Sequence, residues 1–271
     1  MDRYLFIGGD RRSIYSAEYL SADKLGLGDD PTPNGTYTHV VLPMPVSRDG
    51  IIINAPLSPT PLSPEEILRY SAEGTKVLCG GRNSKIEQLC KDNRLIFIDY
   101  SADESLTLKN AQLTAEGAIA LLVQNSEKAL YGSEILITGY GRVARCTALL
   151  LKAFHCNVTV CARRCEQRTL AELDGMKSAP IECLTEICTK TDFILNTVPA
   201  PLFNDSVFSA TKNGSLYLEL ASLPPEPYNS LAESYGIRYI HGGGLPGKFS
   251  PETAGKLIAE TLPLLVSNPS D

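Results

Sequence analysis

No apolar run in this chain approaches the ~18 residues of a membrane span, and the N-terminus lacks the charged and apolar regions of a secretory signal. A cytoplasmic protein is therefore expected. Positive charge is not in excess: 25 Lys and Arg stand against 31 Asp and Glu, a net charge of −6, which argues against nucleic acid or an anionic membrane as a partner. Histidine is scarce, with three in the chain, and the eight cysteines include no CxxC pair and have no histidine at zinc-ligand spacing. No metal site is expected, and the thiols read as reduced, small hydrophobic groups. Low-complexity tracts are also missing. What remains is 271 residues, 43% hydrophobic and 21% charged, long for one core and suited to two domains of an ordinary enzyme.

The stretch 134–164 organises the rest. An apolar run at Ile135, Leu136 and Ile137 ends at Gly139-Tyr140-Gly141-Arg142-Val143-Ala144. A helical pattern follows, with Val143, Thr147, Leu150 and Phe154 as its expected inner face, and a second apolar run closes at Cys161. This is strand, glycine turn, helix, strand. The first glycine permits the tight turn and the second lets a pyrophosphate approach the backbone. The small Ala144 lets the helix pack closely, and the helix N-terminus faces the phosphates. A Rossmann-type dinucleotide site is expected, with Gly139, Tyr140, Gly141, Arg142 and Val143 against the cofactor.

A carboxylate is missing where an NAD site usually carries one. At the end of the second strand stand Ala162, Arg163 and Arg164, with Arg168 one helical turn on. Arg163 and Arg164 suit a ribose 2′-phosphate, because a planar guanidinium binds phosphate bidentately and stays charged. The alternative is a solvated basic loop. NADP is the expected cofactor.

Elsewhere strands and helices alternate. The chain opens on an apolar run at residues 4–7, then Gly8, Gly9, Asp10, Arg11 and Arg12 lead into a helix, a turn that can bring backbone amides and an arginine to an anionic substrate. Residues 21–36 read as a loop. Strand signals return at 38–42, at 51–53, at 77–79 and at 95–98, with helices expected over 65–72 and after Asn83. An open, mostly parallel sheet with helices on it is the economical arrangement. A helix over 104–124 is long enough to cross between domains, and its Asn110, Thr114 and Glu116 either face solvent or face a ligand.

Two later strands end at Thr197, Val198 and Pro199 and at Ala221 and Ser222. Ligands of open α/β sheets lie beyond the carboxyl ends of strands, so both ends are candidate cofactor contacts. A last strand over 237–240 precedes His241 and the glycine-rich run at 242–247, where Gly244, Leu245 and Pro246 allow close approach to a ligand. His241 either merely ends the strand or acts in proton transfer. His39 and His155 read as structural.

Taken together, Thr114-Ala115-Glu116-Gly117, the glycine turn, Ala162-Arg163, Asn196-Thr197-Val198-Pro199, Glu219-Leu220-Ala221-Ser222, Gly244-Leu245-Pro246-Gly247-Lys248 and Thr253-Ala254-Gly255 resemble the family formed by the A subunit of dipicolinate synthase from spore-forming bacteria. The resemblance covers most of the chain and departs at 21–36, where the family usually shows another strand. It implies an NADP-binding Rossmann domain over 105–249 beside a smaller, flavodoxin-like α/β domain over 1–104. The helix at 250–271 returns to the smaller domain, an arrangement like that of formate and glycerate dehydrogenases. It implies oxidation of a dihydrodipicolinate to pyridine-2,6-dicarboxylate in the mother cell during sporulation, with a flavoprotein B subunit as partner; a second copy of the chain is a further candidate partner. Candidate contacts to the small dicarboxylate substrate are Arg11, Ser47, Asn110 and Thr114, and Glu116 or His241 accepts the proton. Two rival readings are a shikimate-type NADP-dependent reductase, which would need a Lys and Asp pair, and a non-catalytic NADP-binding component of a flavoprotein complex.

Overall fold

The computed structural model describes residues 2–28, 32–222 and 228–267. The chain forms two compact units, one running to Asn110 and resuming at Ser250, the other spanning Ala111–Phe249.

The first unit alternates β1 (Tyr4–Ile7), α1 (Arg11–Tyr19), β2 (Asp23–Leu25), β3 (Tyr37–Val41), α2 (Glu66–Arg69), β4 (Ser71–Cys79), α3 (Ser84–Asp92) and β5 (Ile96–Asp99). The five strands lie in the order β2-β1-β3-β4-β5, all parallel. That is the flavodoxin-like doubly wound order. Strands covered on both faces read as continuous apolar runs, as in Leu5, Phe6 and Ile7 or Val77, Leu78 and Cys79, all buried. Helix starts are set by side-chain caps: Asp10 accepts from the Arg12 amide, and Asn83 accepts from the amides of Lys85 and Ile86.

Residues 21–36 hold a strand, β2, where a loop is expected; 29–31 of that stretch lie outside the described residues. β2 is short, polar and at a sheet edge with one neighbour, so it needs no two-faced apolar pattern. The helix expected over 65–72 stops at Arg69, because Ser71 pairs with Tyr37 and the Thr75 hydroxyl donates to the Tyr37 carbonyl, drawing the segment into β4. Residues 51–53 form no strand; Ile53 makes an isolated antiparallel bridge to Leu62.

Helix α4 (Glu104–Asn125) carries the chain from one unit to the other, the division falling between Asn110 and Ala111. The second unit continues with β6 (Glu134–Thr138), α5 (Arg142–Ala153), β7 (Asn157–Cys161), α6 (Cys165–Leu173), β8 (Lys177–Ala179), α7 (Leu184–Cys188), β9 (Phe193–Asn196), α8 (Asp205–Ala210), β10 (Leu216–Glu219), α9 (Tyr228–Ser234), β11 (Arg238–His241) and α10 (Leu245–Phe249). Its sheet runs β11-β10-β9-β6-β7-β8, again parallel, which is the order of a Rossmann domain with β6 as the first strand. The order reverses between β6 and β9.

The buried face of α5 is Ala144, Thr147, Ala148 and Leu151, one position off the expected stripe; Phe154 lies outside, 47% exposed. Close packing of a helix that begins at a glycine turn favours small residues inward, which places the larger side chains outward. The glycine-rich run after β11 is not all loop, since residues from Leu245 on form α10.

Last, α11 (Pro251–Ser267) packs in the first unit against α1. The contact is close because residue 255 is glycine: a β-carbon there would lie 2.6 Å from the Arg12 carbonyl oxygen. The Ser16 hydroxyl instead donates to the Gly255 carbonyl at 2.8 Å.

Candidate functional site at the carboxyl edge of the second sheet

Strand register builds the site. Cys161, Thr138, Asn196, Glu219 and His241 are successive partners across β7, β6, β9, β10 and β11, each at or near the carboxyl end of its strand. The segments that follow them therefore leave the sheet along one edge. Those segments contain the glycine turn, Arg163 and Arg164, Thr197 to Pro199, Ala221 and Ser222, and Gly244.

The glycine turn is shaped as a dinucleotide requires. Gly139 has a φ of +76°, and a β-carbon on it would lie 2.7 Å from Val198 Cγ2, so only glycine lets the loop after β9 close over the turn. At Gly141, the N-cap of α5, a β-carbon would meet nothing within 4 Å. The turn is thus tight on the protein side and open at Gly141, at the N-terminus of α5, and it fits a pyrophosphate. Ala144 is fully buried beneath it. Tyr140 turns inward: its hydroxyl donates to Asp174 at 2.8 Å, and Arg145 pairs with the same carboxylate at 2.7 Å. That guanidinium lowers the Asp174 pKa, whereas burial and the carboxylate raise that of Tyr140. Tyr140 is buried architecture here. Arg142 is exposed and Val143 half-buried.

Arg163 and Arg164 are exposed at the start of α6, with Glu166 3.6 Å from Arg164. Arg168 is committed differently, donating to the carbonyls of Ala162 and Arg163 at 2.9 Å each. It shapes the segment that presents the other two.

Beneath the edge lies a polar group that the sequence motifs contain but whose role they do not disclose. Thr138 donates to Asn196 Oδ1 at 2.5 Å, and Asn196 Nδ2 donates to both oxygens of Glu219 at 3.0 Å. Glu219 also accepts from the Ala221 amide at 2.9 Å and the Tyr217 hydroxyl at 3.1 Å. Thr138, Asn196 and Glu219 have no exposed surface. Burial raises the pKa of Glu219, against the pull of these donors. Asn196 further holds Val198 through that residue's amide and carbonyl, and the Thr197 hydroxyl donates to the Thr138 carbonyl at 2.7 Å. The visible signal in the sequence is a glutamate inside the otherwise apolar run 216–220.

Leu245 and Pro246 are buried, so their side chains serve packing. A β-carbon at Gly117 would lie 2.8 Å from Leu245 Cβ and 3.1 Å from Phe249, so α10 seats on α4 where α4 has no side chain. Two motifs more than a hundred residues apart, Thr114 to Gly117 and Gly244 to Lys248, meet there. Asn110, Thr114 and Gly117 are spaced i, i+4, i+7 and share a face of α4. Glu116 is on another face, exposed, with Gln112 3.4 Å away. His241 ends β11, exposed, its ring folded toward Gly243, where a β-carbon would lie 2.5 Å from Nε2.

Arg11 and Ser47 belong to the first unit. Arg11 is exposed at the start of α1, while Arg12 is buried and tied to Asp10 at 2.8 Å and to the Met44 carbonyl. Arg12 therefore holds its own turn in place. The Ser47 hydroxyl donates to Asp49 and accepts from the Gly50 amide, both at 3.0 Å, building the turn it sits in.

Comparison with known proteins agrees with this geometry. Residues 108–221 match the D-isomer specific 2-hydroxyacid dehydrogenase, NAD binding domain family, which supports a nicotinamide dinucleotide as cofactor. Over 193 residues the chain is 29% identical to the A subunit of dipicolinate synthase from Bacillus subtilis strain 168, covering 70% of this chain and 64% of that relative's length. The crystal structure of the A subunit of dipicolinate synthase from Bacillus halodurans superposes with a TM-score of 0.84 at 23% identity, covering 98% of each chain. Salmonella D-lactate dehydrogenase shares the fold more distantly, with a TM-score of 0.62 at 13% identity over all of this chain and 98% of that one.

Proposed function

Starting from the likeness to the A subunit of dipicolinate synthase, we propose that this chain is an NADP-dependent oxidoreductase that converts a dihydrodipicolinate to pyridine-2,6-dicarboxylate, together with a flavoprotein partner. The observation that carries the reading is the seating of α10 on Gly117. It brings together two of the motifs that carry that likeness, on a domain whose glycine turn fits a dinucleotide.

Oxidation removes one hydride and one proton from the ring, and the cofactor supplies the hydride acceptor. The rest falls to the protein. Asn110 and Thr114, one turn apart on α4, offer hydrogen bonds to a ring carboxylate; holding the ring in register supplies most of the catalysis, because aromatisation already favours product. Amides near Gly244, whose outer side is open, offer further donors. Glu116, on another face of α4 from Asn110 and Thr114, is not placed to take the proton from a ring they hold, and the proton passes to His241, an exposed group able to exchange it with water. Arg163 and Arg164 select the 2′-phosphate.

The test supplies freshly made dihydrodipicolinate with this chain, NADP and the flavoprotein partner. Pyridine-2,6-dicarboxylate should accumulate, followed by its ultraviolet absorbance, while NADPH appears. Thr114→Ala or Asn110→Ala should slow it by roughly tenfold to a hundredfold, the cost of one hydrogen bond to a desolvated carboxylate. Tight NADPH binding without any dipicolinate would overturn the assignment of substrate.

A further inference from the structure

A carboxylate inside a sheet costs stability unless hydrogen bonds or a paired charge offset its lost hydration. Glu219 is fully buried, and donors surround it: Asn196 Nδ2 on both oxygens, the Ala221 amide on one, the Tyr217 hydroxyl on the other. The orientation of Asn196 is fixed, since its Oδ1 accepts from the Val198 amide, so its nitrogen must face Glu219. Such a shell suits an ionised carboxylate.

Its place in the fold is specific. Arg163 follows β7, on the side of the switch point where a Rossmann domain holds the adenosine ribose. The nicotinamide half then falls on the other side, over the ends of β9 and β10. Glu219 ends β10 and, through Asn196, holds the loop that ends β9. Resting on the reading of this chain as an NADP-binding enzyme, we propose that Glu219 is a positioning residue for the oxidised cofactor. It is a buried anion beneath the nicotinamide half of the site, favouring the positively charged ring over the neutral reduced one. A reaction driven by aromatisation tolerates that preference and gains from it, because the oxidised form is the one that must load.

The experiment measures the affinities of NADP⁺ and NADPH separately, by calorimetry, for the wild-type chain, Glu219→Gln and Glu219→Asp. Glutamine keeps the shape and removes the charge; its amide nitrogen, toward the Tyr217 oxygen, gives up one of the two bonds from Asn196 Nδ2. It should weaken NADP⁺ about tenfold more than NADPH, the size of one charge acting across a partly screened interior. That equals about 30 mV in the potential of the bound two-electron couple. Aspartate keeps the charge and should keep the ratio, even where both affinities drop. Equal weakening of the two forms by Glu219→Gln, or none, overturns the proposal and leaves NADP binding standing. A wild-type chain that binds neither form overturns the underlying reading and the proposal with it.

Should Glu219→Gln not fold, Glu219→Asp carries the test: the charge stays, so the NADP⁺ to NADPH affinity ratio should stay within about twofold of wild type, and a loss of that ratio by about tenfold overturns the proposal.

Discussion

Arg163 and Arg164 follow the last residues of β7 with their side chains exposed, and Arg168 fixes the backbone that carries them. Two guanidinium groups on a segment held by a third is an arrangement that costs little until a dianion arrives. NADPH should bind this chain more tightly than NADH by roughly tenfold to a hundredfold, the worth of a charge-assisted contact to phosphate. Arg163→Ala should weaken NADPH and leave NADH nearly unchanged, measured by calorimetry. Equal wild-type affinities for the two would remove the 2′-phosphate reading.

Among the elements, α10 is a helix of five residues and cannot stand alone; it exists because its buried face meets α4. Gly117 decides the distance, with Leu245 and Phe249 where its β-carbon would be. Two effects oppose each other in Gly117→Ala. Helix propensity gains about 0.5–1 kcal/mol, while forcing apart a packed contact costs about 1–3 kcal/mol. Because the nearest neighbour is Leu245 Cβ, which no rotamer change can move, the clash should win and the variant should lose on the order of 1 kcal/mol in a denaturant titration. A gain in stability would mean that α10 is looser than this packing.

Across the second unit as a whole, an ion-pair cluster lies at the end of the sheet opposite the site. Asp192, just before β9, accepts from Lys128 at 2.8 Å, from Lys212 at 2.7 Å and from the Glu134 amide at 3.1 Å. Burial alone would raise its pKa, but the two lysines and the amide outweigh it and bring it down to about 2. A folded-state pKa below the unfolded value gives stability that is complete above about pH 5 and is lost as pH falls through about 4 toward about 2. With both lysines partly in water, the loss should be on the order of 1 kcal/mol. Asp192→Asn should flatten that part of the acid-unfolding curve; an unchanged curve would show the cluster to be inert.

The dinucleotide turn was legible in the residues alone because its signal is local. Strand, glycines and helix lie within thirty residues, and the spacing of Gly139, Gly141 and Ala144 follows from how close a phosphate and a strand must come to one helix end. Doubly wound character was legible too, since strands buried on both faces must be written as apolar runs. The edge strand β2 escaped because an edge demands no such run, and the inner face of α5 was misplaced by one residue because size, not only hydrophobicity, selects what faces a close-packed sheet. Nothing local marks Glu219 as the carboxylate beneath two loops, or Gly117 as the seat of Leu245. Those roles arise from strand register and from contacts between segments more than a hundred residues apart, which only the folded chain brings within hydrogen-bonding or van der Waals distance.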